Sequence, residues 1–294
     1  MDKIIVVNKS IGMTSHDVVN KIRRIFNTKK VGHTGTLDPD ASGVLVVCIN
    51  EATKLVQFLE NDSKEYIAEI LIGRSTDTFD KTGNTTNDVT VNLLTNEEVD
   101  NCLKMFVGKI EQFPPIYSAI KVNGKKLYEY ARKNEIVEIK PRNVEIFELS
   151  RISNVIKEEN YYKFSIKTLV SKGTYIRSLC VDIAKKLGYP GLMNSLIRTK
   201  CGVWRIEKSN TLDEISMGKF NCYSMLETLK NYVLIDDDDC IYKALHGMKI
   251  SPSKIKEIIG ETPERIVIKK EDKLIAIYEL DKTIYGYKAV RVWN

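Results

Sequence analysis

The chain contains 294 residues, of which 43% are hydrophobic and 29% charged, and its formal net charge is +6. This composition is ordinary for a globular protein, and the length allows one large domain and a small one. The longest apolar runs, such as residues 44–49, are far shorter than the roughly 20 residues of a membrane-spanning helix, and the N-terminus lacks the apolar region of a signal peptide. We therefore expect a cytoplasmic protein that does not bind a membrane.

The cysteines and histidines do not form a metal-binding pattern. The six cysteines include no Cys-x-x-Cys pair and lie mostly in apolar segments, which indicates buried, reduced thiols. The three histidines, His16, His33 and His246, are widely separated. We predict no metal site, and the positive net charge indicates an acidic partner.

The first 60 residues combine strand and helix patterns. Residues 4–7 are predicted to form a short strand, and Ser15 is predicted to cap a helix with one apolar face. Residues 44–49 form a continuous apolar run, which is typical of a central strand buried on both faces. Residues 53–60 are then predicted to be helical.

Strands and helices continue without strict alternation. Residues 66–72 and 164–170 are predicted strands, and the capping box Thr95-x-x-Glu98 indicates the start of a helix. Another amphipathic helix is predicted over residues 176–187. This pattern favours an α+β fold with a mixed or antiparallel central sheet flanked by helices over a doubly wound one.

The C-terminal region has a different pattern. Its short strands are predicted at residues 265–268, 274–279 and 288–293. We predict a small β domain over residues 240–294, after a first domain over residues 1–235. The four aspartates 236–239 are better explained as a boundary than as a cation site, because adjacent carboxylates repel each other.

Residues 31–43, with the sequence VGHTGTLDPDASG, stand out from their surroundings. Their three glycines permit unusual backbone conformations and the close approach of a ligand, while Pro39 biases Asp38 toward an extended conformation. The loop therefore presents one carboxylate in a restrained setting. Either this is an active site, or it is an ordinary turn before a buried strand.

Residues 121–142 are a candidate nucleic-acid contact. They contain seven basic and three acidic residues, and Tyr128 and Tyr130 lie among them. Lysine and arginine neutralise phosphates, and tyrosine rings can stack on unpaired bases. The alternative interpretation is a solvated charged helix.

The loop sequence GHTGTLDPDASG resembles the catalytic segment of the bacterial tRNA pseudouridine-55 synthases, which form the TruB family of pseudouridine synthases. Other segments resemble motifs of that family in the same order: KSIGMTS (9–15), KEY (64–66), GRSTDTFD (73–80), FPPIYSA (113–119), GTYIR (173–177) and LIRT (196–199). These motifs together span about residues 8–205.

The resemblance implies the pseudouridine synthase fold with a small C-terminal RNA-binding domain of the PUA type. It implies that uridine 55 in the T loop of tRNA is flipped out and isomerised to pseudouridine without a cofactor. The segment 113–145 would be an insertion that grips the tRNA. We expect a monomer that needs no obligate protein partner.

The resemblance also implies roles for seven residues, with Asp38 as the essential catalytic group. The expected substrate-binding residues are His33, which fills the space left by flipped bases, Tyr66 and Tyr175, which contact the target base, and Leu196, an apolar wall. Arg177 is expected to pair with Asp38, and Lys9 to lie near the site. By spacing alone, Tyr66, Tyr175 and Leu196 would be assigned to the core, His33 to a turn and Arg177 to a polar helix face.

Two other functions stay open at this point. The chain could be a tRNA-binding folding factor whose catalysis is secondary, since basic segments and a C-terminal domain also suit RNA remodelling. It could instead be a pseudouridine synthase that acts on another RNA, although the absence of long basic tails favours the stand-alone bacterial type.

Overall fold

A computed structural model describes residues 2–60, 63–133, 135–283 and 285–293. In these ranges the helices are α1 (Ser15–Ile25), α2 (Val56–Leu59), α3 (Asn96–Lys104), α4 (Leu127–Arg132), α5 (Ile176–Lys186), α6 (Leu212–Ser216), α7 (Asp238–Leu245) and α8 (Pro252–Ile259). Three short 3₁₀ helices occupy Asn50–Leu55, Ile206–Lys208 and Leu226–Leu229. None of the described helices is both long enough and apolar enough to cross a membrane.

The strands of the first 130 residues are β1 (Ile4–Lys9), β2 (Val31–His33), β3 (Ala41–Ile49), β4 (Lys64–Ile72), β5 (Arg74–Thr76), β6 (Thr85–Asp88), β7 (Gly108–Gln112), β8 (Lys121–Val122) and β9 (Lys125–Lys126). The later strands are β10 (Arg142–Arg151), β11 (Ile156–Glu158), β12 (Tyr161–Val170), β13 (Gly191–Cys201), β14 (Trp204–Arg205), β15 (Cys222–Tyr223), β16 (Val233–Ile235), β17 (Arg265–Lys270), β18 (Lys273–Asp281) and β19 (Gly286–Val292).

A large mixed sheet forms the centre of the fold, as predicted. Its main strands follow the order β15-β1-β3-β13-β4-β12-β10-β7. In addition, β2 pairs with β3, β11 with β12 and β14 with β13. Among the described pairings of this sheet, β13 with β3 is parallel and the others are antiparallel. The parallel pair brings Leu196 opposite Ala41, directly after the glycine-rich loop.

Glycine at position 43 makes this parallel pairing possible. Gly43 has a φ of +104°, and a Cβ atom there would lie 2.2 Å from the carbonyl oxygen of Arg198. Another residue would be strained and would push the two strands apart. The glycine therefore sets the distance between the loop that carries Asp38 and strand β13.

Helices cover both faces of the large sheet. On one face α3 and α5 bury a core that includes Ile70, Phe164 and Leu179. On the other face α1 packs Val18 and Ile22 onto strands β1 and β3. The apolar runs and helical periodicities therefore identified the core correctly.

The cap of α1 differs from the prediction. Thr14 is the N-cap, and its side chain accepts a hydrogen bond from the backbone N–H of Asp17, which forms a capping box with it. Ser15 lies inside the helix, and its Oγ accepts a hydrogen bond from Leu37 N at 2.9 Å. Asp17 lies three residues after Thr14, which is the spacing of a capping box, and this reciprocal pairing makes Thr14 the cap in place of Ser15.

The C-terminal region contains the predicted strands at β17, β18 and β19, in the sheet order β16-β17-β18-β19. One face of this sheet packs on α7 and α8, which the sequence did not predict. The other face packs Val267 and Trp293 against Phe58 and Trp204 of the first 235 residues. The two regions therefore share an apolar core.

Strand β16 lies before the predicted boundary. It pairs in parallel with β17, so the C-terminal sheet begins at residue 233 and not at residue 240. Three residues are too few to show a periodicity, and a parallel partner distant in sequence leaves no local signal. The division into domains 1–235 and 240–294 remains a proposal, and the pairing of β16 assigns residues 233–235 to the sheet of the second domain.

Candidate active site

Asp38 lies in the loop between β2 and β3, and neighbouring segments restrain the loop. Ser15 Oγ donates to Leu37 O at 3.3 Å as well as accepting from Leu37 N. The ammonium of Lys9, which is fully buried, donates to the carbonyls of Met13, Ser10 and Pro39 at 2.7, 3.0 and 3.3 Å. These contacts hold the chain on both sides of Asp38.

Arg177 forms a two-point ion pair with Asp38, 139 residues away in sequence. Its Nε lies 3.0 Å from Oδ2 and its Nη2 lies 3.2 Å from Oδ1. The Arg177 side chain is 7% exposed, whereas that of Asp38 is 37% exposed. Such forked pairing orients a carboxylate more strictly than a single charge does.

Further acceptors anchor Arg177 from the opposite side. Nη1 donates to the carbonyl of Thr78 and Nη2 to that of Tyr117, both at 3.0 Å. Asp80 Oδ2 lies 3.7 Å from Nη1. Asp80 also accepts hydrogen bonds from Thr82 in its own turn, so it both organises that turn and neighbours the ion pair.

The ionisation of Asp38 is a balance of two effects. Burial raises the pKa of Asp38 above its usual value, and the positive charge of Arg177 acts in the opposite direction. An arginine stays protonated in any protein environment. Arg177 therefore favours the ionised carboxylate, which can act as a nucleophile or a base.

The carboxylate opens into a cavity of about 520 Å³. Of the predicted site residues, those lining this cavity are Asp38, Tyr66, Tyr175, Arg177 and Leu196. The volume lies within the range of about 300–1,000 Å³ that is typical of small-ligand sites. The structure thus brings together five residues from four distant segments of the chain.

Tyr66 and Leu196 form an apolar part of the wall. They lie on the adjacent strands β4 and β13, and both also belong to the main core. Burial raises the pKa of Tyr66, so its hydroxyl is protonated at neutral pH. The core interpretation and the cavity interpretation are therefore compatible for these two residues.

Tyr175 is held at the N-terminus of α5 by a buried glutamine. Tyr175 N donates to Gln112 Oε1 at 2.8 Å, and Gln112 Nε2 donates to Tyr175 O at 3.1 Å. Gln112 is 2% exposed and lies at the end of β7, immediately before the predicted RNA-gripping insertion. This amide fixes the backbone on which both Tyr175 and Arg177 depend.

His33 and Lys9 support the site but do not line the cavity. The Nδ1 of His33 accepts a hydrogen bond from Gly35 N at 3.2 Å, and burial lowers the pKa of His33. Lys9 binds backbone carbonyls, and burial lowers its pKa to about 8. The roles in RNA binding that the resemblance implies for His33 and in the site for Lys9 remain predictions.

Arg198 is a site residue that the sequence analysis quoted in a motif but did not select. It is 1% exposed, lines the cavity, and donates to Val44 O at 2.7 Å and Gly35 O at 3.0 Å. Local sequence did not mark it, because the strand around it also contains the polar residues Asn194, Ser195, Thr199 and Lys200.

The basic segment reaches the mouth of the cavity through Tyr128. Lys126 Nζ donates to the Tyr128 hydroxyl at 3.1 Å, and the Arg132 guanidinium lies 5.2 Å from the ring centre. Tyr130, in contrast, is buried and donates to Val122 O at 3.0 Å. One of the two interleaved tyrosines is therefore available to a ligand, and the other is structural.

Comparisons with known proteins identify relatives of this chain. Residues 23–176 match the family model described as TruB family pseudouridylate synthase (N terminal domain). A protein of Oceanobacillus iheyensis named tRNA pseudouridine synthase B is 43% identical over 96% of this chain and 94% of its own length. A protein of the same name from Caldanaerobacter subterraneus subsp. tengcongensis is 52% identical over 85% of this chain and 86% of its own.

Solved structures share the fold. A chain described as "Crystal Structure of a Cbf5-Nop10-Gar1 Complex" has a TM-score of 0.69 and 25% identity, over 99% of this chain and 84% of that one. Another, described as "Structure of H/ACA RNP bound to a substrate RNA containing 2'-deoxyuridine", has a TM-score of 0.70 and 21% identity over 99% and 85%. The second likeness concerns the fold alone.

Proposed function

Because the chain belongs to the TruB family of pseudouridylate synthases, we propose that it converts uridine 55 in the T loop of tRNAs to pseudouridine. The observation that carries this proposal is the two-point pairing of Asp38 with Arg177 at a cavity lined by Tyr66, Tyr175 and Leu196. The names of the relatives supply tRNA as the substrate class. The position within the tRNA follows from the motif resemblance.

The reaction is an isomerisation that needs a single carboxylate. The bond between N1 and the ribose C1′ breaks, the base turns, a bond forms between C5 and C1′, and the proton leaves C5 while N1 is protonated. Asp38 would act either as a nucleophile or as the base that removes the C2′ proton. Both routes require its ionised form, which Arg177 favours.

The cavity walls would compensate for flipping the uridine out of the T loop. Extruding a base costs a few kcal/mol, which contacts in the pocket have to offset. Tyr66 offers a ring and Leu196 an apolar surface to the base, and Tyr175 faces the same space. Tyr66 and Leu196 are packed in the core, and Gln112 holds the backbone of Tyr175, so these walls are in place before RNA binds.

The basic segment 121–142 and the C-terminal region would hold the tRNA outside the cavity. Lys126 and Arg132 flank Tyr128 at the cavity mouth, which suits phosphates and an unpaired base. We propose that the protein acts in the cytoplasm as a monomer, without a cofactor or an obligate protein partner.

The test is tritium release from transcribed tRNA labelled at uridine C5, using the purified chain alone. We expect release with uridine at position 55 and none with cytidine there. Release only in the presence of another protein or a guide RNA would support a guided synthase for another RNA. Tight tRNA binding with no release from any uridine would favour the folding-factor function.

A further inference from the structure

One buried hydroxyl in the cavity wall has no partner. Ser118 lines the cavity and is 6% exposed, and its Oγ makes no hydrogen bond with the residues that the structure describes. The motif FPPIYSA contains it, but the sequence analysis gave this serine no role. A buried hydroxyl without a partner destabilises a protein, so its presence in the cavity wall calls for an explanation.

Three other hydroxyls in the same wall have partners. Ser171 Oγ accepts from Glu145 N at 2.9 Å, and Thr174 Oγ1 donates to Ser171 O at 3.0 Å. Thr34 Oγ1 lies 3.7 Å from Cys201 Sγ. Ser118 therefore differs from its neighbours in hydrogen bonding and not in burial alone.

The backbone around Ser118 is fixed on both sides. Ser118 O accepts from Tyr128 N at 3.2 Å, and Ser118 N donates to Ile116 O at 3.0 Å. The preceding carbonyl, that of Tyr117, accepts from the same Arg177 that pairs with Asp38. The freedom left to the hydroxyl is rotation about χ1, which has three staggered positions.

We propose that Ser118 is a further substrate-binding residue, whose hydroxyl forms a hydrogen bond with the target nucleotide beside the Asp38 and Arg177 pair. This inference rests on the proposed function. A serine hydroxyl can donate to a carbonyl oxygen of the base or accept from the ribose 2′-hydroxyl. Turning about χ1 carries Oγ from the wall toward the nucleotide, where it gains the partner that the free protein lacks.

The first experiment compares stability with activity in Ser118→Ala. Removing an unpaired buried hydroxyl leaves the melting temperature unchanged or raises it by about 1–3 °C. Losing its bond to the substrate lowers kcat/KM by about 3- to 10-fold. The matched control is Ser178→Ala, because Ser178 is 2% exposed and donates to Phe113 O at 2.8 Å, so its loss lowers the melting temperature.

The outcomes separate three cases. A stable Ser118→Ala with reduced kcat/KM supports the inference. Equal kcat/KM for wild type and variant overturns it, as does a loss of activity accompanied by a fall in melting temperature like that of Ser178→Ala. If wild type itself is inactive on every tRNA uridine, the proposed function fails before Ser118 is tested.

A second experiment identifies the group that Ser118 contacts. In an Asp38→Asn background, which stops turnover, Kd is measured for T-arm RNAs that carry uridine, 2′-deoxyuridine or 4-thiouridine at the target. The effect of Ser118→Ala on Kd disappears with 2′-deoxyuridine if the ribose is the partner, and shrinks with 4-thiouridine if the base is. An effect that is the same for all three targets excludes the 2′-hydroxyl and O4, and if it is also unchanged with 2-thiouridine, which alters O2, direct contact with either group is overturned.

Discussion

Replacing Arg177 with lysine separates charge from geometry. Arg177 uses its fork to reach both oxygens of Asp38 and the carbonyls of Thr78 and Tyr117. A lysine ammonium is one point with three donors, so it cannot satisfy four acceptors that lie around a planar fork. We expect Arg177→Lys to retain the positive charge and to lose the orientation of the carboxylate.

The magnitude follows from the bonds that are lost. A hydrogen bond to a charged group contributes about 1.5–3 kcal/mol. Arg177 makes two such bonds to Asp38, together about 3–6 kcal/mol, and the partial exposure of Asp38 lets water replace about half of this. We therefore take about 2–3 kcal/mol at the reacting centre, which is about a 30- to 150-fold loss in kcat/KM. A buried carbonyl left without a donor lowers the free energy of unfolding by a further ~1–3 kcal/mol.

Replacing Arg177 with glutamine also removes the charge that opposes the effect of burial on Asp38. The pKa of Asp38 is already raised by burial, so losing Arg177 raises it further. As the pH is lowered, Asp38 therefore becomes protonated at a higher pH in the variant than in wild type, and activity is lost there. We expect the acidic limb of the profile of kcat/KM to move to higher pH.

The assay is tritium release between about pH 5 and 8.5 for wild type, Arg177→Lys and Arg177→Gln, with folding checked by melting temperature. Arg151→Lys is the matched control, because Arg151 also pairs at two points with an aspartate, Asp100, at 2.9 and 2.8 Å but does not line the cavity. The reasoning would be refuted by an Arg177→Gln enzyme with kcat/KM within threefold of wild type and an unshifted acidic limb.

Two predictions concern the loop that carries Asp38. Gly43→Ala places a Cβ 2.2 Å from Arg198 O at a positive φ, so we expect urea denaturation to show a loss of at least about 3 kcal/mol. Gly188→Ala has a positive φ but open space and should lose only ~1–2 kcal/mol; equal losses would contradict the steric argument. Burial lowers the pKa of Lys9 to about 8, so unfolding takes up protons between about pH 8 and 10.5 and stability rises with pH there. Between these pH values, the free energy of unfolding of wild type should rise relative to that of Lys9→Met by at most about 3 kcal/mol. A difference between the two proteins that does not change with pH would contradict the lowered pKa of Lys9.

Local signals in the sequence predicted much of the fold. The apolar run 44–49 and the capping box at Thr95 were read correctly because strands and helix starts leave short-range patterns. The parallel pairing of β3 with β13 could not be read in this way, because its partners are about 155 residues apart and share no local motif. The short strand β16 was missed for the same reason.

The residues of the candidate site were harder to predict from local sequence than the strands and helices. The glycines and Pro39 marked Asp38 as a restrained carboxylate, but only the family resemblance suggested Arg177 as its partner across 139 residues. Arg198 and Ser118 were within quoted motifs, yet their importance depends on burial and hydrogen bonding, which spacing does not report. Ser15 is a similar case, because it was predicted to cap α1 but instead forms hydrogen bonds with Leu37 in the loop that carries Asp38.

The role proposed for the Asp38 carboxylate is to perform the isomerisation. Its most direct test is a single-turnover measurement of pseudouridine formation by Asp38→Asn, with enzyme in excess over tRNA and binding verified on the same sample. The side chain of asparagine has nearly the same shape, so we expect tRNA to bind and no pseudouridine to form above background. Product formation at a rate near that of wild type would contradict this role of Asp38.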